Sequence, residues 1–208
     1  MSPIPWSLTF LRLIVPVSIL RFPLWGIFAS IFADVIDWNI IEVKSKEMDT
    51  LYQSWDKSLD AYTYLFIVCV VLHWKDSWAR RTALGFFALR MIGQLLFFLT
   101  SWRPILFYFP NVFENFVILY LVTLWWSKRK KLDLTVVQKW SMLLLLIIPK
   151  MTQEYFQHFL GRQPWELYKV LSPGLDTILW VILLYVLPMA SFVVYLKVSS
   201  HKYRQINL

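Results

Sequence analysis

Long apolar runs, separated by short polar pieces, organise the whole chain. A helix needs about 20 mostly apolar residues to cross a bilayer. Six segments meet or approach that length: 7–33, 48–74, 82–100, 104–126, 136–158 and 174–196. The second is strongly apolar only after Asp60, so its helix has to begin near Met48, which draws Asp56 and Asp60 toward the membrane. The fifth is clean only from Val136 to Pro149, and its last turns carry Lys150, Glu154 and His158. Trp6, Trp38, Trp55, Trp74, Trp78, Trp102, Trp125, Trp126, Trp140 and Trp165 fall near the predicted span ends. An apolar ring bearing an N–H favours that depth. The pattern predicts an all-α fold, a polytopic integral membrane helical bundle of about six transmembrane helices, with 1–208 as a single transmembrane domain. No cleavable signal peptide is expected, because the first apolar run exceeds an h-region and Arg21 interrupts it.

Composition agrees. Of 208 residues, 58% are hydrophobic and only 16% charged, where soluble domains carry about 25% charge. Mean hydropathy is +0.54. A disordered chain is excluded, and a soluble domain nearly so. The single Cys69 rules out an internal disulfide and a Cys-cluster metal site, and three scattered His residues make no His-rich centre. A net charge of +8 would suggest nucleic acid in a soluble protein. Here the charge sits in short pieces beside apolar runs, so the expected partners are membrane lipids, with no nucleic acid. A homo-oligomer or a membrane complex stays open.

Lys75, Arg80, Arg81, Lys128, Arg129, Lys130, Lys131, Lys197, Lys202 and Arg204 fall on the side that six spans would give to both termini. Lys44, Lys46, Lys57, Arg103, Arg162 and Lys169 fall on the other. Cytoplasmic loops carry the excess of Lys and Arg, so the expectation is a multi-pass cell-membrane protein with both termini cytoplasmic.

That orientation gathers the polar residues in the outer half of the bundle. Arg21 and Arg90 lie mid-span, and Gln94 is one turn beyond Arg90. Asn111, Glu114 and Asn115 sit roughly 10–17 Å into the fourth span at about 1.5 Å per residue. Lys150, Glu154 and His158 are successive i,i+4 steps, as are Arg90 and Gln94. Asp49, Gln53, Asp56 and Asp60 share one face of the second span, while Ser30, Gly26 and Pro23 form a small-residue stripe on the first. Intramembrane ionisable groups cost about 2.5–3.5 kcal/mol each on insertion scales, so they face a cavity or one another. The candidate substrate-binding set is Arg21, Lys57, Arg90, Arg103, Asn111, Glu114, Lys150, Glu154 and His158, with the Arg and Lys residues suited to phosphate. The alternative is an internal salt-bridge network holding the bundle. Glu154 and His158 also suit an acid/base pair, and Phe109-Pro110-Asn111 either kinks its helix or breaks it and frees carbonyls.

Asp34 and Asp37 end the first span; Asp56 and Asp60 begin the second. Hard cations take several oxygens and bridge carboxylates to phosphates. Asp34, Asp37, Asp56 and Asp60 are therefore candidate ligands of Mg²⁺ or Mn²⁺, with no other cofactor expected. The pairs D-V-I-D and D-K-S-L-D resemble the D-x-x-D-G-x-x-A-R … G-x-x-x-D-x-x-x-D signature of the CDP-alcohol phosphatidyltransferases. The four carboxylates match. Trp38, Ile41, Glu42 and Tyr52 stand where the family has Gly, Ala, Arg and Gly, and one span rather than two precedes the motif. The resemblance implies a divalent metal on Asp34, Asp37 and Asp56, with Asp60 as base. The leading expectation is a metal-dependent membrane enzyme acting on a phosphorylated or diphosphate-linked lipid, with Asp60 and Asp56 catalytic. A small ion- or proton-coupled transporter and a structural membrane subunit are the rivals.

Overall fold

The computed structural model describes residues 6–40, 46–128, 132–160, 179 and 182–206. All regular structure among them is helical, as the apolar pattern predicts. The side chain of Asp37, most of the basic run 128–131 and the start of the expected sixth span lie outside the described residues.

The first expected span, 7–33, is instead a hairpin. Helix α1 (Trp6–Ile14) continues as a 3-10 segment (Val15–Leu20), turns at Arg21-Phe22, and returns as α2 (Pro23–Ile40). Pro16 sits in the first turn of the 3-10 segment, where a missing N–H costs little. Pro23 opens α2 and disfavours helical backbone at Phe22 before it. Gly26 lets the two arms touch: a Cβ there would lie 2.6 Å from the Ile19 backbone nitrogen. The small stripe does bring backbones together, but within the hairpin.

Helix α3 (Lys46–Leu72) follows, then α4 (Ser77–Thr100), capped by the Asp76 carboxylate accepting from the Trp78 and Ala79 amides. The fourth expected span is broken into α5 (Ile105–Tyr108) and α6 (Val112–Ser127). Helix α7 (Val136–His158) begins at a Thr135/Gln138 capping box. A π-turn at Ile182–Val186 leads into α8 (Leu187–Ile206).

By length and composition, two of these are able to cross a membrane: Ser77–Thr100, and Ile105–Ser127 taken through its break. They are covered differently. Helix α6 is sheathed by α2, α3, α4 and α7, with Phe113, Phe116, Val117 and Leu119 fully buried. Its rings form the centre: Phe116 stacks on Tyr120, Trp74 lies tilted against Tyr120, and Tyr64 meets Phe113 edge-on. Helix α4 leaves Ile92, Leu95 and Leu99 exposed. Helix α8 inserts Phe192 and turns Leu187 and Val194 outward.

A candidate functional site in two ionic clusters

The first cluster lies where α1, α2 and α3 meet. Helices α1 and α3 run parallel there. Leu8 packs with Tyr52, the Trp55 indole donates to Thr9, and the Tyr62 hydroxyl donates to the Leu13 carbonyl. That register places Arg12 against the acidic face of α3. Its Nη1 lies 2.7 Å from Asp56 Oδ1 and 2.9 Å from Asp34 Oδ1, and its Nη2 lies 2.9 Å from Asp60 Oδ1. Lys57 Nζ meets Asp56 Oδ2 at 2.6 Å and Asp60 Oδ2 at 3.1 Å. Asp34, Asp56 and Asp60 thus come together as the sequence suggested, with carboxylate oxygens within 4.8 Å of one another. Of the two cations among them, Lys57 was expected and Arg12 was not.

Arg21, expected among the buried bases, is exposed at the hairpin turn, with its guanidinium over the Phe22 ring. The reason is the hairpin: in one straight helix Arg21 is mid-span, but in a hairpin it is the tip. The proline spacing around Arg21 was the available signal for both errors.

The second cluster begins one turn along α3 and surrounds the break in the α5–α6 segment. Pro110 has no N–H, and Phe109 before it leaves the helical region at φ −123°, ψ 65°. The freed backbone groups are satisfied by charge. Arg90 Nη1 donates to the Phe109 carbonyl at 3.0 Å, and the Asn111 amide donates to Glu154 Oε1 at 3.3 Å. Each charge suits its helix end: a cation at the carbonyl end of α5, an anion at the amide end of α6. Asn111 Nδ2 donates to the Tyr64 hydroxyl at 2.7 Å and to Glu114 Oε2 at 3.4 Å. Glu154 also meets Lys150 at 3.2 Å and, through Oε2, His158 Nε2 at 2.8 Å. Gly93 admits the Phe109 side chain against α4, since a Cβ would lie 2.2 Å from the Phe109 Cβ.

Arg90, Lys150, Glu154 and His158 are buried, and Asn111 and Glu114 half-buried, so the spacing rules found most of this cluster. Arg103 is half-buried in the turn before α5. Gln94, one turn from Arg90, is wholly buried, and neither end of its amide has a hydrogen-bond partner. Arg90 Nε, Asn111 Oδ1 and His158 Nδ1 are likewise buried without one. Chemically, the first cluster is a set of ion pairs among Arg12, Lys57, Asp34, Asp56 and Asp60. The second holds two acids, Glu114 and Glu154, with bases, a histidine and spare hydrogen-bonding atoms around broken backbone.

Compared with protein-family models, curated proteins and solved structures, the chain matches none. The resemblance to the phosphatidyltransferases rests on the Asp spacing alone.

Proposed function

We propose that this is a multi-pass membrane protein whose buried ionic layer is a translocation site, making it a small ion- or proton-coupled transporter. The observation carrying this reading is the break at 109–111, with Arg90 at one freed backbone end and Glu154 at the other. Discontinuous helices in secondary transporters place half-helix ends of opposite polarity at the transported ion or solute. Ionisable groups inside apolar segments are costly, and they mark ion and proton pathways. The membrane setting is supported by mean hydropathy of +0.54 and by outward-facing residues such as Trp25, Phe32, Leu99 and Ile148. The basic segments 75–81 and 128–131 support a cytoplasmic side for those loops and for the C-terminus. Asp34, Asp56 and Asp60 then lie toward the opposite leaflet.

The test is solid-supported-membrane electrophysiology on reconstituted protein under proton, Na⁺ and K⁺ gradients. The expected result is charge displacement well above protein-free liposomes, lost in Glu154→Gln and Arg90→Gln. Currents equal to the blank, from protein that still melts cooperatively, would overturn it.

The closeness of the Asp34, Asp56 and Asp60 oxygens favours a second reading, the metal-dependent enzyme acting on a phosphorylated lipid. Oxygens within 4.8 Å of one another suit a shared cation with bonds of about 2.1–2.6 Å. Asp60 and Asp56 would be catalytic, with Lys57, Arg90 and Lys150 facing phosphate. Arg12 contacts all three carboxylates, so Mg²⁺ or Mn²⁺ binds only if the guanidinium withdraws. Melting curves of wild type and Arg12→Gln in millimolar Mg²⁺, Mn²⁺ or chelator decide this. Indifference in both forms removes the enzyme reading.

A further inference from the structure

We infer that the two arms of the N-terminal hairpin each cross the bilayer, their outer face against lipid hydrocarbon, so that the N-terminus lies on the opposite side from the C-terminus. This rests on the membrane reading and replaces the expectation that both termini are cytoplasmic.

Three observations carry it. The first is length. A 3-10 helix rises about 2.0 Å per residue against about 1.5 Å for an α-helix. Trp6–Leu20 therefore reaches about 25 Å, and the apolar part of the second arm, Pro23–Ile36, about 21 Å, extended to about 27 Å by the polar turn ending at Ile40, against a hydrocarbon core of about 30 Å. The second is the surface. Phe10, Ile14 and Val17 on one arm, and Trp25, Phe28 and Phe32 on the other, are exposed at helical spacing. The one charged side chain between Trp6 and Leu20, Arg12, is turned inward onto its carboxylates. From Phe10 to Val17 and from Trp25 to Phe32 these faces carry no exposed charge and suit acyl chains; the half-exposed Asp34 follows only in the last two turns of the second arm. The third is register. Contacts run in order from Leu8 with Tyr52, through Arg12 with Asp56, to Leu13 with Tyr62. Continuing that order puts Leu20 and Arg21 level with the last turns of α3, on the side where Lys75 follows in the chain. The exposed Arg21 then joins the basic side, where its guanidinium meets anionic head groups.

Helix α1 thus starts at the end of the bundle where α2 finishes. Counting both arms, with α3, α4, the α5–α6 segment, α7 and α8, gives an odd number of crossings.

Single cysteines in a full-length Cys69→Ser background test this with an impermeant maleimide on intact cells. Thr100→Cys and Ser127→Cys serve as references for the two sides. Ser7→Cys should label from outside together with Thr100→Cys. Leu20→Cys should label only after permeabilisation, together with Ser127→Cys. Ser7→Cys labelling with the inner reference, or Leu20→Cys labelling from outside or from neither side, overturns the two crossings while leaving the membrane reading intact. References that label alike, or release of the protein by carbonate washing, end both. For the lipid face, a spin label at Phe28→Cys should be more accessible to oxygen than to a polar nickel chelate. Efficient oxidative cross-linking of that variant into dimers would assign the face to a second copy and overturn the lipid contact.

Discussion

At the hairpin, charge meets charge; at the break in the α5–α6 segment, charge meets backbone. Arg12 and Lys57 are answered by Asp34, Asp56 and Asp60 within 3.1 Å. Around the break, Arg90 and Glu154 hold a carbonyl and an amide that Pro110 released, and Gln94 keeps both amide ends unpaired. Buried ion pairs gain little over apolar packing, yet breaking one is expensive. The first cluster therefore behaves as a clasp fixing the hairpin on α3. The second retains hydrogen-bonding capacity that a purely structural core would have removed. On the transporter reading we propose, clasp variants should change stability alone, and break variants should change transport as well.

The largest effect is expected at Arg12. Arg12→Ala leaves three neighbouring carboxylates without their shared guanidinium and should destabilise by about 3–5 kcal/mol, the usual range for removing one partner of a buried pair. Arg12→Lys keeps the charge but loses the fork that reaches Asp56 and Asp60 through separate nitrogens. It should recover part of the loss. Thermal melting in detergent measures both. A loss under about 1 kcal/mol for Arg12→Ala would show that the hairpin is held by apolar packing and that the clasp is incidental.

Arg90→Gln comes next. A hydrogen bond to a charged group contributes about 1.5–3 kcal/mol, and this one holds the Phe109 carbonyl. The variant should melt earlier by roughly that amount and lose charge displacement completely. Retained currents would place the break outside the transport path.

Much of this was legible in the chain. Apolar runs gave the helices, and Pro110 inside an apolar run marked a kink or break; the caps at Asp76 and at Thr135/Gln138 were not read. The i,i+4 series Lys150, Glu154, His158 identified one wall of the second cluster. Arg12 was missed because span length alone does not separate one long tilted helix from two arms. The distinction lies in backbone chemistry, in Pro16 and Pro23 flanking Arg21, and in Gly26 allowing close return. The pairing of Arg12 with α3 is a tertiary register, which no local pattern encodes.

Gln94→Leu should act with the opposite sign. An unsatisfied buried amide costs about 1–3 kcal/mol, and Leu has nearly the same volume without the polar atoms. The variant should melt about 1 kcal/mol later while its currents fall. Stabilisation without loss of current would mark Gln94 as a tolerated defect; loss of both would mean that its amide is satisfied when the protein folds.

Asp34→Asn is expected to have the smallest effect, and it sharpens the comparison within the clasp itself. Asp34 and Asp56 both touch Arg12 Nη1, at 2.9 and 2.7 Å, but the Asp34 side chain is 47% exposed and that of Asp56 only 9%. Exposed pairs contribute about 0–1 kcal/mol. With Asp56 and Asp60 still in place, Arg12 keeps its charge balance when Asp34 is neutralised. Double-mutant cycles with Arg12→Gln isolate each pairing from the shared cost of removing the guanidinium. The coupling should be about 0.5 kcal/mol or less for Asp34, against more than about 1.5 kcal/mol for Asp56. Since Asp34 is a contact from α2 and Asp56, with Asp60, a contact from α3, that order means Arg12 ties α1 mainly to α3, with Gly26 against Ile19 holding α2. The reverse order would mean that the clasp closes the hairpin on itself.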